Sequence, residues 1–276
     1  MSSSELLKNY DSAGGSIRTL CDSRLRLAIL DSLRRGPMRL ADLRRAVDAS
    51  APNASVNAKG LEEMGLIERV EGDFTLTPYG RAACQRTQEF FKFWSTYEKF
   101  KGFWTTHKLD GIPEFLLLRL DELENSTLMN VRGGNVDAVN ELFEELFNSV
   151  KEKFYAVAPI LRKQWWDIGA DVVRSGIDTH IIVTPEVLKL IITTVPKEEL
   201  LPLDAVRNLK WSLIESCSVA CAVSEKSFSM VLENKGGGYS LDMDLDSRDP
   251  HAVKWGMDLF EYYKKRAKPF KLAEYL

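Results

Sequence analysis

The search for chemistry in this 276-residue chain starts from its three histidines. A strand-borne HxKxxxxD motif cleaves phosphodiesters with the histidine as nucleophile and the lysine two residues on, facing the same phosphate. His107 begins HKLD and His180 begins HIIV, so neither fits. His251 begins HAVKWGMD, which puts Lys254 one position too far along and on an expected helix, where it does not point beside the ring. Cys217 and Cys221, four apart in CSVAC, have the reach of a redox pair, but the stretch reads as a core strand and free cysteine is among the most buried residue types. Asp242, Asp244 and Asp246 alternate along an expected strand and share one face. With no His or Glu beside them to complete a ligand set, they read as a solvated strand edge. Gly133-Gly134 and Gly236 to Gly238 are too short for a phosphate-cradling loop. No nucleophile, base and orienting group come as a set, so the sequence predicts no enzyme, no cofactor and no metal site.

What remains is binding, and composition bounds it. A 45% hydrophobic, 28% charged chain of this length is expected to hold two globular domains. No apolar run is long enough to cross a bilayer and no signal pattern opens the chain, so a cytoplasmic, membrane-free protein is expected. Four cysteines make no disulfide scaffold. The formal net charge is −3, unevenly distributed: residues 1–87 carry 13 Lys and Arg against 11 Asp and Glu, and the remainder is net acidic. That weak segregation favours a nucleic-acid contact at the N-terminal end.

The elements agree. RLRLAILDSL (24–33) carries an apolar stripe at 3.6-residue spacing and ends at Arg34-Arg35-Gly36-Pro37. A second short helix, LADLRRAV, points Leu40, Leu43 and Val47 inward, and a third starts behind Ser50 and Pro52 and stops at Gly65. LIERVEGDFTLT then reads as two strands joined at Glu71-Gly72-Asp73. Three helices followed by a hairpin is the order of a winged helix-turn-helix, whose third helix enters the major groove.

On that third helix Ala54, Ala58 and Leu61 face inward, leaving Asn53, Val56 and Lys59 outward, flanked by Ser55 and Asn57. Asparagine matches adenine edges and lysine matches phosphate. With Arg39, Arg44 and Arg45 around the second helix and Arg69 on the wing, these are the candidate DNA contacts. NAKGLEEMGLIERVEGDFTLTPYGR (57–81) resembles the recognition-helix-to-wing segment of archaeal and bacterial ArsR-like and TrmB-like winged-helix regulators. The resemblance implies double-stranded DNA as partner.

From Pro78 to His107 the chain is helix-like and dense in rings: Phe90, Phe91, Phe93, Trp94, Tyr97, Phe100, Phe103 and Trp104. That is too many rings for one solvated helix face, so the connector either packs on its own second domain or pairs with a second chain, and a homodimer is expected. Beyond Pro113, strands STLMNV, FYAVAP, THIIVT and LKWSLI alternate with helices at 114–120, 136–150, 161–175 and 185–194, predicting βαβ crossovers and a largely parallel sheet. VACAVS, SFSMVL and YSLDMDL then predict an antiparallel end, closed by a helix in HAVKWGMDLFEYYKKRA. With the STLMNV and FYAVAP strands, GYSLDMDLDSRDPHAVKWGMDLFEYYKKRAKPF (238–270) resembles the effector domain of archaeal methanogenesis-type regulatory proteins, and the mixed pattern resembles a non-catalytic phospholipase D-like fold.

The expected organisation is thus α+β and multidomain: residues 1–80 a winged helix-turn-helix, 81–110 a connector and dimerisation helix, and 111–276 an α/β effector domain. The expected function is a sequence-specific transcriptional regulator that senses an unidentified small-molecule or protein effector. The alternative is a phosphodiesterase-like or metabolite-binding protein that uses its winged helix for assembly only. Trp165, Trp166, Trp211 and Trp255 are the candidate lining of an effector pocket.

Overall fold

A computed structural model describes residues 4–130, 144–145, 150–239 and 243–276. Its contacts divide the chain into two units, Met1–Phe91 and Lys92–Leu276. The division falls inside the aromatic connector rather than at its ends, so the segment expected as a separate connector belongs partly to each unit.

The first unit contains α1 (Glu5–Cys21), α2 (Arg24–Leu33), α3 (Leu40–Ala46), α4 (Ala51–Glu63), a hairpin of β1 (Ile67–Val70) and β2 (Asp73–Leu76), and the start of α5 (Pro78–Lys99). Helix α1 had no counterpart in the sequence reading. Ser4 caps it, accepting from the Leu7 amide, but only Gly14 and Leu20 are buried while Leu6, Leu7, Tyr10 and Ile17 are exposed, so no inward stripe announces it. The core is Ile29, Leu30 and Leu33 of α2, Leu43 of α3, Ala58 and Leu61 of α4, and Ile67, Phe74 and Leu76 of the hairpin. Met38 pairs with Phe74 as a third strand of the wing. The turn takes Glu71 and Gly72 through positive φ (52° and 92°), a conformation that Gly72 adopts without strain. The TPYGR ending has a packing reason. The Thr77 hydroxyl donates to the Gly65 carbonyl at 2.8 Å and accepts the Gly80 amide at 2.8 Å. A Cβ on Gly80 would lie 1.7 Å from the Leu66 carbonyl oxygen, so only glycine lets α5 begin there.

The second unit is built on an eight-stranded sheet in the order β10-β6-β5-β4-β7-β8-β9-β3. The strands are β3 (Thr127–Asn130), β4 (Lys153–Ala158), β5 (Asp178–Val183), β6 (Leu209–Leu213), β7 (Val219–Ser224), β8 (Phe228–Leu232), β9 (Met243–Ser247) and β10 (Lys268–Phe270). Only β4, β5 and β6 run parallel. The expectation of a largely parallel sheet is therefore corrected: β3 pairs antiparallel with β9 at the far edge instead of neighbouring β4. The helix expected over 136–150 lies, apart from residues 144, 145 and 150, outside the described residues, as do Gly133-Gly134 and Asp242.

The two faces of the sheet have different covers. One packs on α6 (Lys101–Thr106), α7 (Glu114–Leu117) and α11 (Pro250–Lys264), in a core of Phe100, Phe103, Trp104, Phe228, Trp255 and Phe260 among others. Three connector rings are thus buried in the second unit's own core, the first of the two alternatives for this segment, while Phe90, Phe91 and Trp94 remain exposed. Gly256 lets α11 approach, since a Cβ there would sit 2.1 Å from the Phe228 ring. The opposite face carries α8 (Lys163–Arg174), α9 (Pro185–Thr194) and α10 (Lys197–Asp204).

Candidate functional site

Helix α4 is positioned by its buried side. Ser50 caps it by accepting the Asn53 amide at 3.4 Å, and Ala54, Ala58 and Leu61 are fully buried against α2 and α3. Asn53, Val56 and Lys59 stand exposed on the other side, with Ser55 half-buried. Lys59 makes only a loose 3.8 Å pair with Glu63, which leaves its charge available to an anion.

Asn57 departs from expectation. Its Nδ2 donates to the Asn53 carbonyl at 2.9 Å and its Oδ1 accepts the Ser23 hydroxyl at 3.1 Å, so both halves of the amide are used inside the domain. Arg69 departs too. Its guanidinium lies 3.1 Å from Glu62 and 4.4 Å above the Phe74 ring, so it ties the wing to α4 rather than reaching outward. Arg39 sits 3.4 Å from Asp73 with its side chain 80% exposed, Arg45 pairs with Asp42 on its own helix, and Arg44 is exposed. The cationic rim is therefore Arg39, Arg44, Arg45 and Lys59.

In the second unit a cavity of about 110 Å³ lies between the sheet and α8 to α10. Its floor is made of small side chains: Ala156 and Ala158 on β4 and Ala220 and Ala222 on β7, under Gly169 and Ala170 of α8. Alternation in FYAVAP and VACAVS places those alanines on one face, and where two small-residue faces meet a void remains. Trp165, Trp166 and Trp211 line it, as do Val183, Val187 and Ile191. Trp255 does not: it is fully buried on α11 at the other face of the sheet, donating its indole N–H to the Leu116 carbonyl at 3.0 Å. Its assignment to the pocket is corrected, because α11 turns it into the core.

The wall is not wholly apolar. Arg162, the residue before α8, lines the cavity with its guanidinium 5.3 Å above the Trp165 ring. Its Nη1 is buried without a hydrogen-bond partner among the described residues, and so is the indole N–H of Trp211. Ser229 lines the same cavity and donates to Asp244 at 3.0 Å. Sequence reasoning missed Arg162; the available signal was the basic pair Arg162-Lys163 shortly before the two tryptophans in RKQWW.

The aspartates are corrected as well. Asp244 and Asp246 are not a solvated edge: they are 2% and 5% exposed on β9. Burial pushes the Asp244 carboxyl up to about 6, partly opposed by Ser229 and by the charge of Arg162. Burial and then the neighbouring Asp244 push Asp246 well above the usual carboxylate range, and its Oδ2 has no hydrogen-bond partner among the described residues. Among the described residues no three His, Cys, Asp or Glu side chains gather as a metal site. Cys217 and Cys221 are both pushed up to about 12 by burial and stay thiols, which suits packing rather than redox exchange. His251 is exposed at the start of α11, while Lys254 bonds Asp258 at 3.2 Å.

A winged helix with an exposed outer face on its third helix is thus followed by an α/β unit that holds a partly polar cavity. Comparison with known proteins agrees with that division. Residues 15–98 match the HVO_A0261 N-terminal domain family, and residues 136–266 match the middle domain of the methanogenesis regulatory protein FilR1. The chain is 24% identical over 256 residues to "Methanogenesis regulatory protein FilR1" of Methanothrix harundinacea (strain 6Ac), covering 91% of this chain and 57% of that protein. It thus spans little more than half the length of this relative. The resemblance read from residues 57–81 and 238–270 holds: the first segment lies within the match to an N-terminal domain family, most of the second lies within the match to the FilR1 middle domain, and the chain is similar to an archaeal regulatory protein. Two solved structures are similar at lower levels. One is TrmBL2, described as an archaeal chromatin protein with a novel mode of DNA binding (14% identity, TM-score 0.43, 90% of this chain and 94% of that one). The other is the phosphatidylserine synthase of Haemophilus influenzae Rd KW20 (14% identity, TM-score 0.41, 54% of this chain and 41% of that one). With both TM-scores below 0.5, neither bears on the assignment. No helix among the described residues is long and apolar enough to cross a membrane.

Proposed function

We propose that this chain is a sequence-specific, DNA-binding transcriptional regulator whose α/β domain senses an effector. The observation that carries the reading is α4: its inner side is fully buried, its outer side presents Asn53, Val56 and Lys59, and Arg39, Arg44 and Arg45 flank it. That is the arrangement a recognition helix needs, with an amide and a methyl-bearing side chain toward base edges and cations toward phosphates. The matches to regulatory-protein domains support it. In this reading the protein works in the cytoplasm as a homodimer, with the exposed rings Phe90, Phe91 and Trp94 contributing to the contact. The effector domain uses a sheet of phospholipase D-like pattern for binding alone, since His251 heads a helix rather than standing on a strand and Lys254 is held by Asp258. The experiment is selection of duplexes by the purified protein from a random pool, followed by anisotropy titration of selected and scrambled duplexes over a range of salt. Selected duplexes should bind at least tenfold more tightly. Equal affinity for both would remove the regulator reading.

A further inference from the structure

The alanine-floored cavity of the second unit has one feature that plain core packing does not explain. A void left by small side chains stays empty or fills with hydrocarbon when its wall is apolar. Here the wall holds the half-buried Arg162, whose Nη1 is a buried donor, a group that is costly to leave without an acceptor. Its guanidinium lies over the Trp165 face, which fixes its plane, and Nη1 has no partner among the described residues. The nearby carboxylate does not answer it: Asp244 takes the Ser229 hydroxyl on both oxygens and accepts the Met230 and Leu245 amides, and it does not line the cavity. The Trp211 indole N–H adds a second unpaired donor on the same wall. Cation and donor together call for an acceptor-only group, while the rest of the lining calls for hydrocarbon.

We propose that this cavity binds a small carboxylic acid, its carboxylate on the Arg162 guanidinium and its compact hydrocarbon body on the alanine floor beneath Trp166 and Trp211. The proposal rests on the regulator reading, for which it supplies the chemical class of the effector. Size follows from volume. An engineered apolar cavity of about 150 Å³ takes up benzene, so about 110 Å³ suits a smaller body, such as a branched chain of four or five carbons. Guanidinium and carboxylate meet through two parallel hydrogen bonds, which an amide cannot reproduce and an amine opposes.

Calorimetric titration of the full chain with isovalerate, pivalate, their amides and isopentylamine tests it. The acids should bind saturably, at least tenfold more tightly than the amides, and the amine should not bind. Arg162→Gln should bring the acids down to the level of the amides, whereas Arg162→Lys should keep part of the preference. Melting curves of both Arg162 variants against the parent serve as the folding control. Absence of binding by either acid, equal binding of acid and amide, or an unchanged preference in Arg162→Gln would each overturn the proposal. DNA affinity measured on the same preparations separates the two ideas: retention of selected duplexes without acid binding removes only the effector class. Acid binding without DNA selectivity removes the regulator and keeps the site.

Discussion

Asp246 shows how a single group sets a pH response. A carboxyl whose pKa rises on folding holds its proton more tightly in the native chain, so it favours folding while protonated and costs stability as it ionises. The window opens near the unfolded value, about 4. For Asp244 it closes near 6, and Asp246, lifted by burial and by Asp244, extends it upward. Asp246→Asn cannot ionise and should therefore match the parent's thermal midpoint at pH 4 and exceed it increasingly toward pH 7; parallel melting curves across that range would show that the carboxyl stays ionised in the fold. At the DNA face, residues should fail in different ways. Asn53→Ala should cost roughly 1 to 3 kcal/mol on the selected duplex and relax selectivity at particular base pairs. Lys59→Ala should weaken every sequence alike and lower the salt slope by about one. Asn57→Ala should instead loosen the link to Ser23 and appear in stability before it appears in selectivity. Anisotropy on selected and scrambled duplexes, with melting of the free protein, distinguishes the three.

At the scale of elements, the decisive positions are those where one element lies on another. Gly256 sits in the middle of α11, where alanine would ordinarily favour a helix by about 1 kcal/mol. The contact reverses that sign, because the new methyl would meet the Phe228 ring at 2.1 Å, inside a core with no room to give. Gly256→Ala should thus destabilise the second unit by roughly 1 to 3 kcal/mol, read as a lower urea midpoint. A stabilised variant would mean that α11 does not pack on β8 as described. Ser50→Ala makes the converse test in the first unit. Losing the α4 cap should cost about 1 kcal/mol and fray the turn that carries Asn53, so stability and DNA selectivity should fall together.

For the whole molecule the open exposure on α5 argues for association. Phe90, Phe91 and Trp94 are 55%, 41% and 47% exposed on adjoining turns, an apolar surface of a kind monomers seldom show. Light scattering at micromolar concentration should report a dimer, and Phe90→Ser with Phe91→Ser should shift it toward monomer while leaving the fold intact. A soluble wild-type monomer would rule out this contact. Dimerisation would present α4 twice, so a selected operator should be two-fold symmetric.

Patterns carried by periodicity were legible without coordinates. The 3.6-residue stripes of α2 and α4, the glycine turn of the wing and the short apolar runs of β4 to β9 are properties of one element each, and each element's own residues suffice to state them. The outward set Asn53, Val56 and Lys59 followed from the same arithmetic. What pairs with what did not. The place of β3 at the far edge beside β9, the choice of Phe100, Phe103 and Trp104 for the core, and the committed amide of Asn57 depend on partners distant in the chain. The cavity is the clearest case. Four tryptophans looked equivalent in sequence, and packing alone turned Trp255 into the core while gathering Trp165, Trp166 and Trp211 with Arg162 around one void. A side chain's helical face is a property of its own segment, but the space in front of that face belongs to whatever packs against it.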